Sequence, residues 1–173
     1  MLKTIIFNMM FDLFFNFFEN GLGWGDYVFH RLFMLFVSLF FTILFLQSGI
    51  DKIVSFSDNL AYFKDHFKKT FFRNQMKFLL VIITLLECLT GGLFTLVIWC
   101  TLFEPTGLIF IYMIYMSALF FCLMTLSCLF LGQRIAQDYA GAVNLGIYFL
   151  IALIGFCLPL LYVELSEALD PNW

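Results

Sequence analysis

The sequence predicts an all-α, polytopic membrane protein: a bundle of four transmembrane helices, preceded by an N-terminal amphipathic helix lying at the membrane interface. Composition carries the class, since 63% of the 173 residues are hydrophobic and 12% are charged. Ordinary soluble domains run about 45–50% apolar and about 25% charged. A mean hydropathy of +0.99 would leave a soluble fold of this size with much apolar surface in water, whereas a bilayer makes such a surface stable. The apolar residues also gather into four charge-poor runs without the polar–apolar alternation that membrane strands require.

In chain order, Leu2 to Phe18 comes first. Asn8, Asp12, Asn16 and Glu19 fall within one narrow helical sector, leaving Ile5, Ile6, Met9, Phe11, Phe14, Phe15 and Phe18 around the rest. This suits a helix in the interface plane, with docking against a partner and a signal segment as the alternatives. An interrupted apolar core and the absence of a small-residue cleavage site argue against the signal. "ENGLGWGDY", Glu19 to Tyr27, follows as a glycine-rich hinge with Trp24 as an interfacial anchor.

The runs Leu32 to Ile50, Phe78 to Phe103, Pro105 to Gln133 and Tyr139 to Val163 come next. Each reaches the ~20 residues that a spanning helix needs at ~1.5 Å per residue. Between the first two, Asp51 to Lys77 has room for a short amphipathic helix with Leu60, Phe63, Phe67 and Phe71 on one face, or for a solvated basic loop near headgroups. The chain thus divides into an aromatic segment and hinge at 1–27, a four-helix domain at 28–163 and a short acidic tail at 164–173.

Charge supplies an orientation. Lys52, Lys64, Lys68, Lys69, Arg73 and Lys77 cluster in the first connection and Arg134 in the third, whereas the other side holds Lys3 and Arg31. The positive-inside bias places the first and third connections in the cytoplasm and both termini outside, periplasmic in a bacterium. A net charge of −3 without a basic stripe gives no footprint for nucleic acid.

Cys88, Cys100, Cys122, Cys128 and Cys157 lie within the runs, form no C-x-x-C pair and read as small packing residues. His30 and His66 stand at a helix edge and in a polar connection, unsuited to a haem held between facing helices. No metal-ligand spacing, phosphate loop or nucleophile motif is present, so no metal or covalently held cofactor is expected and an enzymatic role is disfavoured.

One acid breaks the second run. Glu87, in "TLLECLTGG", is followed one turn later by Gly91 and Gly92. Counting about ten residues from Lys77 puts it near the midplane, at a cost on the order of 2–3 kcal/mol, so it should turn into the bundle and be paired. Gln47, Lys52, Asn144 and Tyr148 are the partners within reach from neighbouring helices. Two readings stay open: a polar network that fixes helix register, or a small site for a quinone head group, a lipid, another ligand or a proton. Gly91 and Gly92 permit close helix approach, and Ala142 with Gly146 makes a small-xxx-small face.

"LFLQSGIDKI", "LLECLTGGLFTL" and "AQDYAGAVNLGIYFLIALIGF" together resemble the DoxX family of small four-helix bacterial membrane proteins, related to DoxD and MauE. The family's glycine and lysine after helix one are matched by Gly49 and Lys52. Its acid and glycines in helix two are matched by Glu87, Gly91 and Gly92, and its polar residue near the start of helix four by Asn144. The resemblance covers roughly residues 30 to 158. It implies a bacterial inner-membrane location and, since members of the family accompany quinone-linked oxidoreductases or gather redox proteins, a role as an auxiliary subunit. The alternative is a stand-alone binder or transporter of a small molecule, lipid or quinone around Glu87. The expected partners are membrane lipid and other membrane-protein subunits.

Overall fold

The computed structural model describes the backbone of residues 25–103 and 108–169, and side chains from 31 to 103 and from 109 to 157. The interfacial helix and most of the glycine-rich hinge expected at the N-terminus lie outside the described residues. Five α-helices follow in order: α1 Gly25–Val54, α2 Phe56–His66, α3 Met76–Phe103, α4 Leu108–Ile135 and α5 Tyr139–Leu169, with a 3-10 turn at Phe71–Gln75 before α3. α1, α3, α4 and α5 are long and apolar enough to cross a membrane, which makes the chain an integral, multi-pass membrane protein with an all-α four-span architecture.

Every apolar run becomes a helix, and most extend beyond it. α1 continues past Ile50 to Val54, and α5 continues past Val163 to Leu169. In hydrocarbon each backbone amide must find a partner inside its own segment, so helix persists wherever the chain is apolar. At the end of α1, the Asn59 side-chain amide donates to the carbonyls of Asp51 (3.3 Å) and Ser55 (3.0 Å), which also accept the Ser55 and Asn59 backbone N–H groups. α2 then folds back as the short amphipathic helix expected within this connection. At its end Phe67 is buried and its ring tip reaches Gly132 on α4, closing the bundle from below. Phe71, expected on the same apolar face, is instead 83% exposed, because the 3-10 turn rotates it away from the α2 register.

α4 and α5 are joined by a tight reversal. Gln137 has a left-handed φ of 63°, with Asp138 N–H donating to the Gln133 carbonyl and Gln137 N–H to the Arg134 carbonyl, a Schellman arrangement. Asp138 Oδ1 then accepts from Gly141 N–H at 2.9 Å and caps α5.

The helices pack in series, α1 on α3, α3 on α4 and α4 on α5, while α1 and α5 touch lightly. The core is aromatic on one side and small on the other. Phe41 stacks on Phe94 with centroids 5.3 Å apart and on Phe45 at 6.0 Å. Ala118, Leu119, Cys122 and Ala152 fill the α4–α5 side. Tyr115 anchors that side by donating its hydroxyl to the Gly155 carbonyl at 3.1 Å, and the Thr90 and Thr125 hydroxyls pair at 3.1 Å between α3 and α4.

Candidate functional site

Glu87 is 1% exposed, and its neighbour across the α1–α3 interface is Lys52, 8% exposed. The pairing depends on α1 extending past Ser48, since Lys52 lies in its last turn. Lys52 Nζ donates to Glu87 Oε1 at 3.0 Å and to Ser48 Oγ at 2.6 Å. Ser48 Oγ in turn donates to the same Oε1 at 3.1 Å. Ammonium, hydroxyl and carboxylate thus close a three-membered ring, with serine and lysine one helical turn apart on α1 and the acid across on α3. Nζ also stands 2.9 Å from Oε2, so the ion pair spans both carboxylate oxygens.

Two glycines bring the helices close enough for this contact. A methyl group added at Gly49 would meet Cys88 Sγ at 2.7 Å, and one at Gly91 would meet Leu46 side-chain carbons at 2.9 Å and its backbone nitrogen at 3.0 Å. Gly92, expected to share in this packing, is exposed and has nothing within 4 Å of an added methyl. Successive residues of a helix are ~100° apart, so only one of the pair can face α1. Gly146 is likewise open, although Ala142 is buried. That small-xxx-small stretch is therefore not a two-point helix contact.

Glu87 Cβ lies beside Gly49, two residues before Asp51, where the apolar run of α1 ends. α3 begins at Met76, well before Glu87, and so reaches beyond the end of α1, with α2 packed against it. Lys52 turns inward to its counter-ion instead of stretching along the helix to the headgroups.

Of the other proposed partners, none joins the ring. Gln47 and Asn144 are exposed. Tyr148 is half-buried and meets Phe40 on α1, ring centroids 6.0 Å apart. Gln47 precedes Ser48 by one residue and so projects from a different side of α1. Ser48 was not singled out as a partner from the sequence; its place four residues before Lys52 was the available signal. Among the described residues no group of three His, Cys, Asp or Glu side chains could hold a metal ion. The five cysteines are free, Cys100 and Cys122 buried and Cys128 and Cys157 exposed.

A buried pair of this kind orders its surroundings without necessarily adding net stability, because desolvation of two ions offsets most of their attraction. Comparison of the chain with protein-family models, curated proteins and solved structures returned no match.

Proposed function

We propose that this protein is a non-catalytic auxiliary or scaffolding subunit of a larger inner-membrane complex, of the DoxX-like kind its motifs resemble, with a redox or quinone-linked enzyme as the complex it serves. The observation that carries this reading is the outward placement of Gln47 and Asn144. Both are amides inside spanning helices, both are exposed, and neither makes a hydrogen bond to any described residue. Gln47 lies two turns beyond Phe40 on α1 and Asn144 one turn before Tyr148 on α5, so both flank the Phe40–Tyr148 contact on its basic-end side. An amide facing hydrocarbon is unfavourable, and polar groups on spanning helices are usually satisfied across a helix interface. A partner helix lying over the α1–α5 seam satisfies both. Purification of the full chain in mild detergent should retain a stoichiometric membrane partner, and the double substitution Gln47→Leu with Asn144→Leu should release it without lowering thermal stability. A chain that is free of partners in its native membrane, as read by in-membrane crosslinking from these positions, overturns the proposal.

A second reading rests on the convergence of an ammonium and a hydroxyl on one buried carboxylate, Lys52 and Ser48 on Glu87. In this reading the Ser48–Lys52–Glu87 ring is a site for a quinone, lipid head group or other small molecule, or carries a proton. Glu87→Gln should then abolish binding or flux while the bundle still assembles. A variant whose sole defect is a lower melting temperature returns the ring to a structural role.

A further inference from the structure

We propose that the basic cavity between the last turn of α2 and the 3-10 turn binds the phosphate headgroup of an anionic phospholipid. The cavity is a depression open to the surface, with a volume of about 560 Å³, lined by the exposed residues Lys64, Asp65, Lys68, Arg73 and Asn74. Lys68 is held by Asp65, with Nζ 2.8 Å from Oδ1. That hydrogen bond and the Lys68 charge hold the Asp65 carboxyl below the ordinary carboxylate range, so Asp65 stays ionised and neutralises one cation. Lys64 and Arg73 have no ion-pair partner among the described residues. The lining therefore keeps two uncompensated positive charges, together with the Asn74 amide as a neutral donor. A guanidinium fork beside an ammonium is suited to phosphate oxygens, which accept several charge-assisted hydrogen bonds at once.

The surroundings favour a lipid over a soluble phosphate. Phe71, two residues before Arg73 in the same turn, is 83% exposed, and Phe78, on the first turn of α3, is 66% exposed. The apolar span that contains α3 begins at Phe71 itself. Cationic groups and bare aromatic rings thus adjoin at the level where the chain enters the membrane, matching an amphiphile with a phosphate at one end and acyl chains at the other. A free phosphate uses the charges and leaves Phe71 uncovered.

The test uses the full chain in detergent, titrated with phosphatidylglycerol, phosphatidylcholine or glycerol 3-phosphate, with bound species counted by native mass spectrometry. Phosphatidylglycerol should bind saturably in preference to phosphatidylcholine. The exposed double variant Lys64→Gln with Arg73→Gln should weaken that binding by roughly 30-fold, since each basic group near an anionic surface contributes on the order of fivefold. Phe71→Ser should weaken the lipid and leave glycerol 3-phosphate unchanged. Equal binding of the two lipids, or no effect of the double variant in a protein of unaltered melting temperature, overturns the proposal. Glycerol 3-phosphate binding as tightly as phosphatidylglycerol assigns the cavity to a soluble anion and overturns it equally.

Discussion

Lys52 and Glu87 show how a single residue's setting decides the cost of changing it. Removing one member of a buried ion pair leaves the other charge without its partner, at a cost of roughly 3–5 kcal/mol, whereas replacing both with apolar groups of similar volume is often neutral. Lys52→Met and Glu87→Gln should each lower the melting temperature sharply in detergent, and Lys52→Met combined with Glu87→Met should recover most of the loss. A double variant as unstable as the sum of the singles contradicts this account. The adjacent glycines make an equally sharp pair. Gly91→Ala drives a methyl into Leu46 and should destabilise by about 1–3 kcal/mol through overpacking. Gly92→Ala meets open space and should be neutral or slightly stabilising, since alanine exceeds glycine by about 1 kcal/mol in helix propensity. Chemical unfolding of the two variants side by side separates them. The sequence made both glycines eligible for packing, and the rotation of α3 against α1 selected one.

At the scale of elements, the spans were legible because a long apolar run has one stable conformation in a bilayer. The connections were less so. Asp51 to Lys77 admitted either a solvated loop or an amphipathic helix, and the structure shows the helix, Phe56–His66, followed by Phe67 packed near Gly132. The Phe67–Gly132 contact joins residues far apart in the chain and so leaves no trace in local periodicity. The α4–α5 reversal holds Gln137 at a φ of 63°, a region that costs a residue with a Cβ roughly 1 kcal/mol or more. Gln137→Gly should therefore stabilise the protein modestly, by up to about 1 kcal/mol, through removal of that strain. A measured loss of stability would show that the exposed Gln137 side chain contributes more than its backbone conformation costs.

Across the whole molecule, α1, α3, α4 and α5 pack in series, and α1 and α5 touch only lightly. Gln47 on α1 and Asn144 on α5 are both exposed. Much of the remaining surface is apolar and aromatic, including Phe36, Trp99, Phe103, Phe110 and Phe120, a surface that hydrocarbon accepts and water does not. The basic connections lie at one end of the bundle, with α2, Lys64, Lys68 and Arg73. The positive-inside bias predicts that this end faces the cytoplasm. An amine-reactive reagent that cannot cross the membrane should then label Lys64 and Lys68 only after permeabilisation; labelling of intact cells would reverse the orientation.

Taken alone, the amino-acid sequence determined the membrane class, the four spans and the need for Glu87 to turn inward. Each follows from the free energy of placing one segment, or one charge, in hydrocarbon. The tertiary structure decided which groups met it. Lys52 and Ser48 close on Glu87, while Gln47 and Asn144 face outward. Helices that are apolar on nearly every side carry little amphipathic signal for their own rotation, so that choice is made by the fit of neighbouring side chains. Gly49 and Gly91 set that fit between α1 and α3.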